Sequence, residues 1–390
     1  MHHDFHRHYL FLRHKEMNAI YLSIFLMNLA ESMITIFVPI YLYSLHFSIP
    51  SIILFALLGN IGSVLLALPA AKVVRFAGHA YSILISVPFL IAYYFGLRML
   101  GTTPWLFYVL PFLIAARSVL YNIGFELNFI QHANRIRMGK TLSLMAIITV
   151  MAGIAAPLLA GFLIVWFGYA ALFLIGSAIL ILSTVPLFLY EEKCEPIDFN
   201  TRNFFQFIST RSYRGGALSF IGYAIESSIG RIIWPIFLVA ILYSTETIGT
   251  VVALSAFITV AMLSVAGRFT DKFDPRKLLR FGTMLYFFGW IGSVFADSTF
   301  KIFFIDSYRS VSGRFILLPW SAAFYRFIKK EHQFYAVVAR DITFNASRVV
   351  IMPLLIAVFA FSPYAFVISF FIASLFTLLY PFTGSIEEGN

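Results

Sequence analysis

Apolar residues run almost unbroken for about twenty positions at a time, and polar residues gather in the short gaps between the runs. Twelve such runs are legible, at about 17–43, 51–71, 79–97, 104–131, 140–165, 168–190, 214–242, 247–268, 277–296, 300–326, 334–360 and 363–382. Each is near the ~20 residues that an α-helix needs to cross the hydrocarbon of a bilayer. The predicted fold is therefore an all-α membrane protein of twelve transmembrane helices. Only one connection is long, residues 191–213, and it holds acids, Cys194, Pro196, Lys193, Arg202 and Arg211. The chain divides around it into six helices (17–190) and six more (214–382), with tails at 1–16 and 383–390.

Composition agrees with this pattern. Of 390 residues, 60% are hydrophobic and 12% charged, against roughly 25% charged in soluble domains. Mean hydropathy is +0.87. The net charge of +10 would suggest nucleic acid in a soluble protein, but here the bases sit in short loops on one side. With the N-terminus placed in the cytoplasm, twenty Lys and Arg fall in or beside inside loops, and two, Arg98 and Lys301, fall outside. That asymmetry predicts cytoplasmic termini and a multi-pass protein of a bacterial-type cytoplasmic membrane. The first apolar run is too long, and lacks the small-residue site, for a cleaved signal peptide. One cysteine, Cys194, excludes an intramolecular disulfide and a multi-cysteine metal site. His2 and His6 lie one helical turn apart, but a solvated basic tail explains them without a metal.

The halves repeat each other. Leu29-Ala30-Glu31-Ser32 is echoed by Ala224-Ile225-Glu226-Ser227, and Pro39-Ile40-Tyr41-Leu42 by Pro235-Ile236-Phe237-Leu238. Arg117-Ser118-Val119 returns as Arg309-Ser310-Val311, and Pro157-Leu158-Leu159 as Pro353-Leu354-Leu355. Four matches in the right order make chance a poor explanation.

Charges inside membrane spans are expensive and mark functional sites. With the loops set aside there remain Glu31, Arg117, Glu126, Glu226, Arg231, Asp306, Arg309, Arg314, Arg340, Asp341 and Arg348, all in the first, fourth, seventh, tenth and eleventh spans. Helical spacing puts Asn28, Glu31 and Thr35 on one stripe, and Asp341, Asn345 and Arg348 on another. Arg117 shares a face with Tyr121 and Asn128. Glu126 points nearly the opposite way, close to the cytoplasmic end, and reads as a gate partner for loop bases. Glu31 and Glu226 are the expected proton-coupling pair. Asn28, Arg117, Tyr121, Arg309, Arg314, Asp341, Asn345 and Arg348 are the expected cavity residues. The bland alternative is that these charges pin the two halves together. Enzyme motifs find no support: Gly139-Lys140-Thr141 lacks the first glycine of a phosphate loop, Glu331-His332 has no second ligand at helical spacing, and no Gly-x-Ser-x-Gly occurs. No metal or other cofactor is expected.

The charged loop Gly267-Arg268-Phe269-Thr270-Asp271-Lys272-Phe273-Asp274-Pro275-Arg276-Lys277 joins the eighth and ninth runs. Its Gly-x-x-x-Asp-Lys followed by Arg-Lys resembles the loop signature of the major facilitator superfamily. Gly153-Ile154-Ala155-Ala156-Pro157-Leu158-Leu159-Ala160-Gly161 resembles that family's fifth-helix antiporter signature, with Ala156 where glycine is usual. The resemblance extends over 17–382. It implies two pseudo-symmetric six-helix bundles, a central cavity lined by spans one, four, seven and ten, and a cytoplasmic gate of Gly267, Asp271, Lys272, Arg276 and Glu126. The first-half counterpart, Ala70-Ala71-Lys72-Val73-Val74-Arg75, has Ala71 where the acid would stand, which weakens the case for a symmetric gate. The function implied is secondary transport of a small solute by alternating access, as proton-coupled efflux by a monomer, with solute, protons and lipid as partners and no nucleic acid. Uptake of an organic anion is the second transport reading, and a transport-inactive receptor or assembly partner is the reading from another class.

Overall fold

The computed structural model describes residues 22, 23, 25–132, 138–185, 199–270, 274–327 and 333–382. Among them there is no strand. The first half comprises α1 (Phe25–Ser44), α2 (Ile49–Ala77), α3 (His79–Met99), α4 (Leu106–His132) and a run Met138–Thr184. Gly168, at φ 75°, breaks that run into α5 (138–167) and α6 (169–184). Glycine takes a positive φ at no steric cost, so the chain can reverse there without a loop. After α7 (Thr201–Ile208) comes α8, built of Arg211–Ser228, a π-helical turn Ile229–Ile233 and Trp234–Leu242. Then follow α9 (Thr245–Thr270), α10 (Pro275–Gly292), α11 (Thr299–Phe327), α12 (Gln333–Phe361) and α13 (Ala365–Thr377).

Among the described residues, nine stretches are long and apolar enough to span a membrane by composition. Gly168 divides one of them, and α9 and the charge-bearing α11 complete the twelve expected spans. The helix starts have local causes. Ser48 Oγ accepts from Ser51 N at 3.3 Å ahead of α2, and Thr210 Oγ1 accepts from Tyr213 N at 3.3 Å ahead of α8. Asp274, the second acid of the charged loop, caps α10 by accepting from Arg276 N at 2.9 Å, with Pro275 in the first turn. The expected 191–213 connection contains α7, whose Phe204 and Phe207 are buried while its polar face is exposed. Arg75 Nη1 donates to Phe199 O at 3.1 Å and Asn200 N donates to Tyr335 Oη at 3.1 Å, which ties this segment across one end of the bundle. That end is termed the linker end below. The tails and Cys194 lie outside the described residues.

The Pro-Ile-aromatic-Leu repeat shapes α1 and α8. Proline has no N–H and crowds the carbonyl four residues before it. Pro39 opens the helix at Ile36, and Pro235 closes the π turn. Eight positions lead from Glu31 to Pro39, but nine lead from Glu226 to Pro235. A π turn accommodates one additional residue, so the second helix can keep both its glutamate and its proline in place.

Between the halves, α2 lies along α12 and α5 along α9. Under the repeat these two contacts are equivalent. In the second, the backbones nearly touch. A Cβ on Gly161 would stand 2.8 Å from Thr245 O, and one on Gly249 2.5 Å from Pro157 O. Small residues permit this approach. The contact lies toward the end of the bundle opposite α7.

Candidate functional site

A cavity of ≈ 630 Å³ sits between the halves, lined by α1, α2, α3 and α4 from one side and by α8 and α12 from the other. On α1, Asn28, Glu31 and Thr35 all reach it, as their common stripe predicts. Thr35 Oγ1 donates to Glu31 O at 2.7 Å. Glu31 forms an ion pair with Arg117 of α4. The two partners differ in exposure: 29% of the Glu31 side chain is open and 7% of Arg117's. The carboxylate therefore faces the cavity and the guanidinium lies behind it, 4.3 Å over the Tyr121 ring. Tyr121 in turn stacks on Phe125.

The opposite wall carries Ser228, Arg231, Asn345, Arg348 and Met352. A polar chain crosses between the halves beside it. Asn122 Nδ2 of α4 donates to Asp341 Oδ1 at 3.3 Å, and Asn345 Nδ2 donates to Asp341 O at 2.8 Å and Oδ2 at 3.2 Å. Arg348 donates to Asn345 Oδ1 at 3.5 Å and to Ser227 Oγ at 3.3 Å. Closer to the linker end, Glu126 meets Arg340 of α12 at 2.6 Å. The expected partners of Glu126 were loop bases. The structure supplies a base from inside the eleventh span, whose guanidinium also lies 4.2 Å over Phe324.

The symmetric expectation breaks at Glu226 and Arg309. Neither lines the central cavity. Both border a separate ≈ 310 Å³ cavity inside the second half, together with Arg314. Glu226, 4% exposed, accepts from three neutral donors: Tyr286 Oη at 2.8 Å, Trp290 Nε1 at 3.0 Å and, on its other oxygen, Tyr380 Oη at 2.8 Å. Among the described residues no carboxylate lies within ion-pair distance of Arg309; its guanidinium packs 3.4 Å over Trp290 and 4.6 Å from Trp234. Trp234 Nε1 donates to Asp306 Oδ1 at 3.1 Å. Charge counting skipped Tyr286, Trp290 and Tyr380 because they come from spans without charges. It also left Arg231 off the cavity set, although an arginine four residues before a proline was a legible signal.

Of the expected gate, Gly267 lies in α9 and Arg276 is exposed in the first turn of α10. Asp271 and Lys272 lie outside the described residues.

No protein-family profile matches the chain, and no curated protein matches it. Solved structures do. A D-xylose–proton symporter superposes with TM-score 0.71 at 12% identity, over 93% of this chain and 96% of that one. A bacterial homologue of the iron transporter ferroportin, in an inward-facing state, gives 0.69 at 15% identity, over 95% and 98%. A major facilitator superfamily transporter, FucP, in the outward conformation, gives 0.66 at 14%, over 94% and 97%. The architecture is that of a multi-pass membrane protein, and the chain has the fold of the major facilitator superfamily transporters.

Proposed function

We propose that the chain is a secondary transporter that moves a small polar solute by alternating access, working as a proton-coupled exporter. The observation that carries this reading is the ≈ 630 Å³ cavity walled by both halves, with the Glu31–Arg117 ion pair in its side. A site between two bundles can face either side of the membrane as one bundle rocks on the other. Side-chain contacts such as Glu126–Arg340 hold the linker end, and these can break and reform as units. The base-rich loops favour a cytoplasmic position for that end, where Gly267 and Arg276 also lie; Asp271 and Lys272 belong to the gate by the sequence resemblance.

Glu31 is the preferred proton carrier. Protonation would remove the counter-charge of Arg117 and change what the guanidinium can hold. Glu226 is satisfied by three donors away from the cavity, which favours an anchoring role for it. The antiporter-like stretch 153–161 favours export. The test is a solute panel on proteoliposomes with an imposed pH gradient. The expected result is gradient-driven flux of at least one solute, abolished in Glu31→Gln. Folded protein that moves no solute under either gradient would reject transport and favour the receptor reading.

A further inference from the structure

The central cavity holds an excess of positive charge. Arg117, Arg231 and Arg348 line it, against the single carboxylate of Glu31, and Arg117 already occupies that carboxylate. Among the described residues neither Arg231 nor Arg348 has a carboxylate within ion-pair distance. Their hydrogen bonds go to neutral oxygens at the long end of the range. Arg348 reaches Ser227 Oγ at 3.3 Å and Asn345 Oδ1 at 3.5 Å, and Arg231 reaches Tyr223 Oη at 3.4 Å. A guanidinium has five N–H donors, so most of this capacity has no protein partner among the described residues. Arg348 lies within the field of Arg231 and also of Asp341, whose carboxylate is one helical turn beyond Asn345 and outside ion-pair distance. Like charges held together in a membrane interior are costly and mark ligand sites. Arg231 stands in the π turn of α8, and such turns concentrate at functional sites.

We infer that Arg231 and Arg348 form an anion subsite, which grips the carboxylate or phosphate group of a small organic anion between α8 and α12. Planar forks suit both groups through paired N–H···O bonds. Asn28, Asn60 and Thr35 on the facing wall would hydrogen-bond the polar remainder of the solute. The inference rests on the proposed reading of this cavity as the solute site.

The test is calorimetric binding to the purified full chain in lipid nanodiscs. Succinate and glycerol 3-phosphate are compared with succinamide and glycerol. One of the two anions should bind and its neutral analogue should not; which anion binds separates carboxylate from phosphate. Arg231→Gln and Arg348→Gln should each weaken binding by roughly ten- to hundredfold. Arg348→Lys, which keeps the charge without the fork, should fall between. Lys301→Gln, on an exposed helix end, should leave affinity unchanged. Arg231 is exposed to the cavity, so its variant stays informative if Arg348→Gln fails to fold. No anion binding up to about 10 mM, or wild-type affinity in both glutamine variants, overturns the subsite. Anion binding without flux of that anion would instead sink the transport reading and leave the subsite standing, while flux of a neutral solute with no anion binding does the reverse.

Discussion

Removing the charge of Glu31 should cost more than removing that of Arg117. Breaking a buried ion pair from one side typically costs about 3–5 kcal/mol, because the remaining charge is stranded. Arg117 is the buried member: its Nη2 faces Glu31, and its Nε has no hydrogen-bond partner among the described residues. In Glu31→Gln the guanidinium keeps only its contact with Tyr121, worth up to about 2 kcal/mol when desolvated and already present in the native state. Glu31 is 29% open, so cavity water can reach the site and lower the penalty. The expected loss is roughly 2–3 kcal/mol. Arg117→Gln leaves its charge on Glu31, which faces the cavity, and should cost roughly 1–2 kcal/mol. Glu31→Gln/Arg117→Gln should recover roughly 1–3 kcal/mol relative to the sum of the singles. Denaturation in mixed micelles at pH 7, followed by tryptophan fluorescence, measures all four proteins. Additive losses, or a larger loss for Arg117→Gln than for Glu31→Gln, would refute the burial asymmetry on which the figures rest.

Three further outcomes follow from other parts of the chain. Gly249→Leu drives a side chain into the Pro157 carbonyl, so α5 and α9 must part; it should cost about 1–3 kcal/mol, and disulfide cross-linking between cysteines placed at 158 and 246 should fall. Arg340→Gln breaks the ion pair with Glu126, and spin labels at Val73 and Arg276 should report a wider distance distribution at the linker end; an unchanged distribution removes that pair from the gate. Cys194 should react with a membrane-impermeant maleimide only after cells are permeabilised, and reaction in intact cells would overturn the orientation.

The sequence revealed most of the architecture because spanning helices are long, apolar and interrupted by charges. It missed α7 for the opposite reason, since eight residues of mixed polarity carry no spanning signal. The Glu31 stripe was legible from helical spacing alone. Its pairing with Arg117 was not, because spacing places a residue on its own helix and says nothing about rotation of the next. Symmetry misled at Glu226. The motif around it repeats that of Glu31, but what decides its environment is Tyr286, Trp290 and Tyr380, aromatic donors that look like ordinary apolar filling. Arg309 repeats Arg117 in sequence and yet packs on indoles. Asp341 and Asn345 share a face as expected, while Asn122, which joins them to the other half, carries no charge to attract notice.

The π turn of α8 lets one half of a duplicated protein change its chemistry without changing its shape. An extra residue in a regular helix turns everything beyond it by about 100°. Here the surplus is absorbed within five residues, Ile229–Ile233, and Pro235 follows directly in the helix beyond. Within the turn stands Arg231, whose side chain lines the cavity. Deleting Gly230 should restore the eight-position spacing of α1 and rotate Arg231 relative to the cavity. At this register step an arginine enters one wall of the cavity, while the matching positions of α1, Thr35 and Ile36, carry no charge.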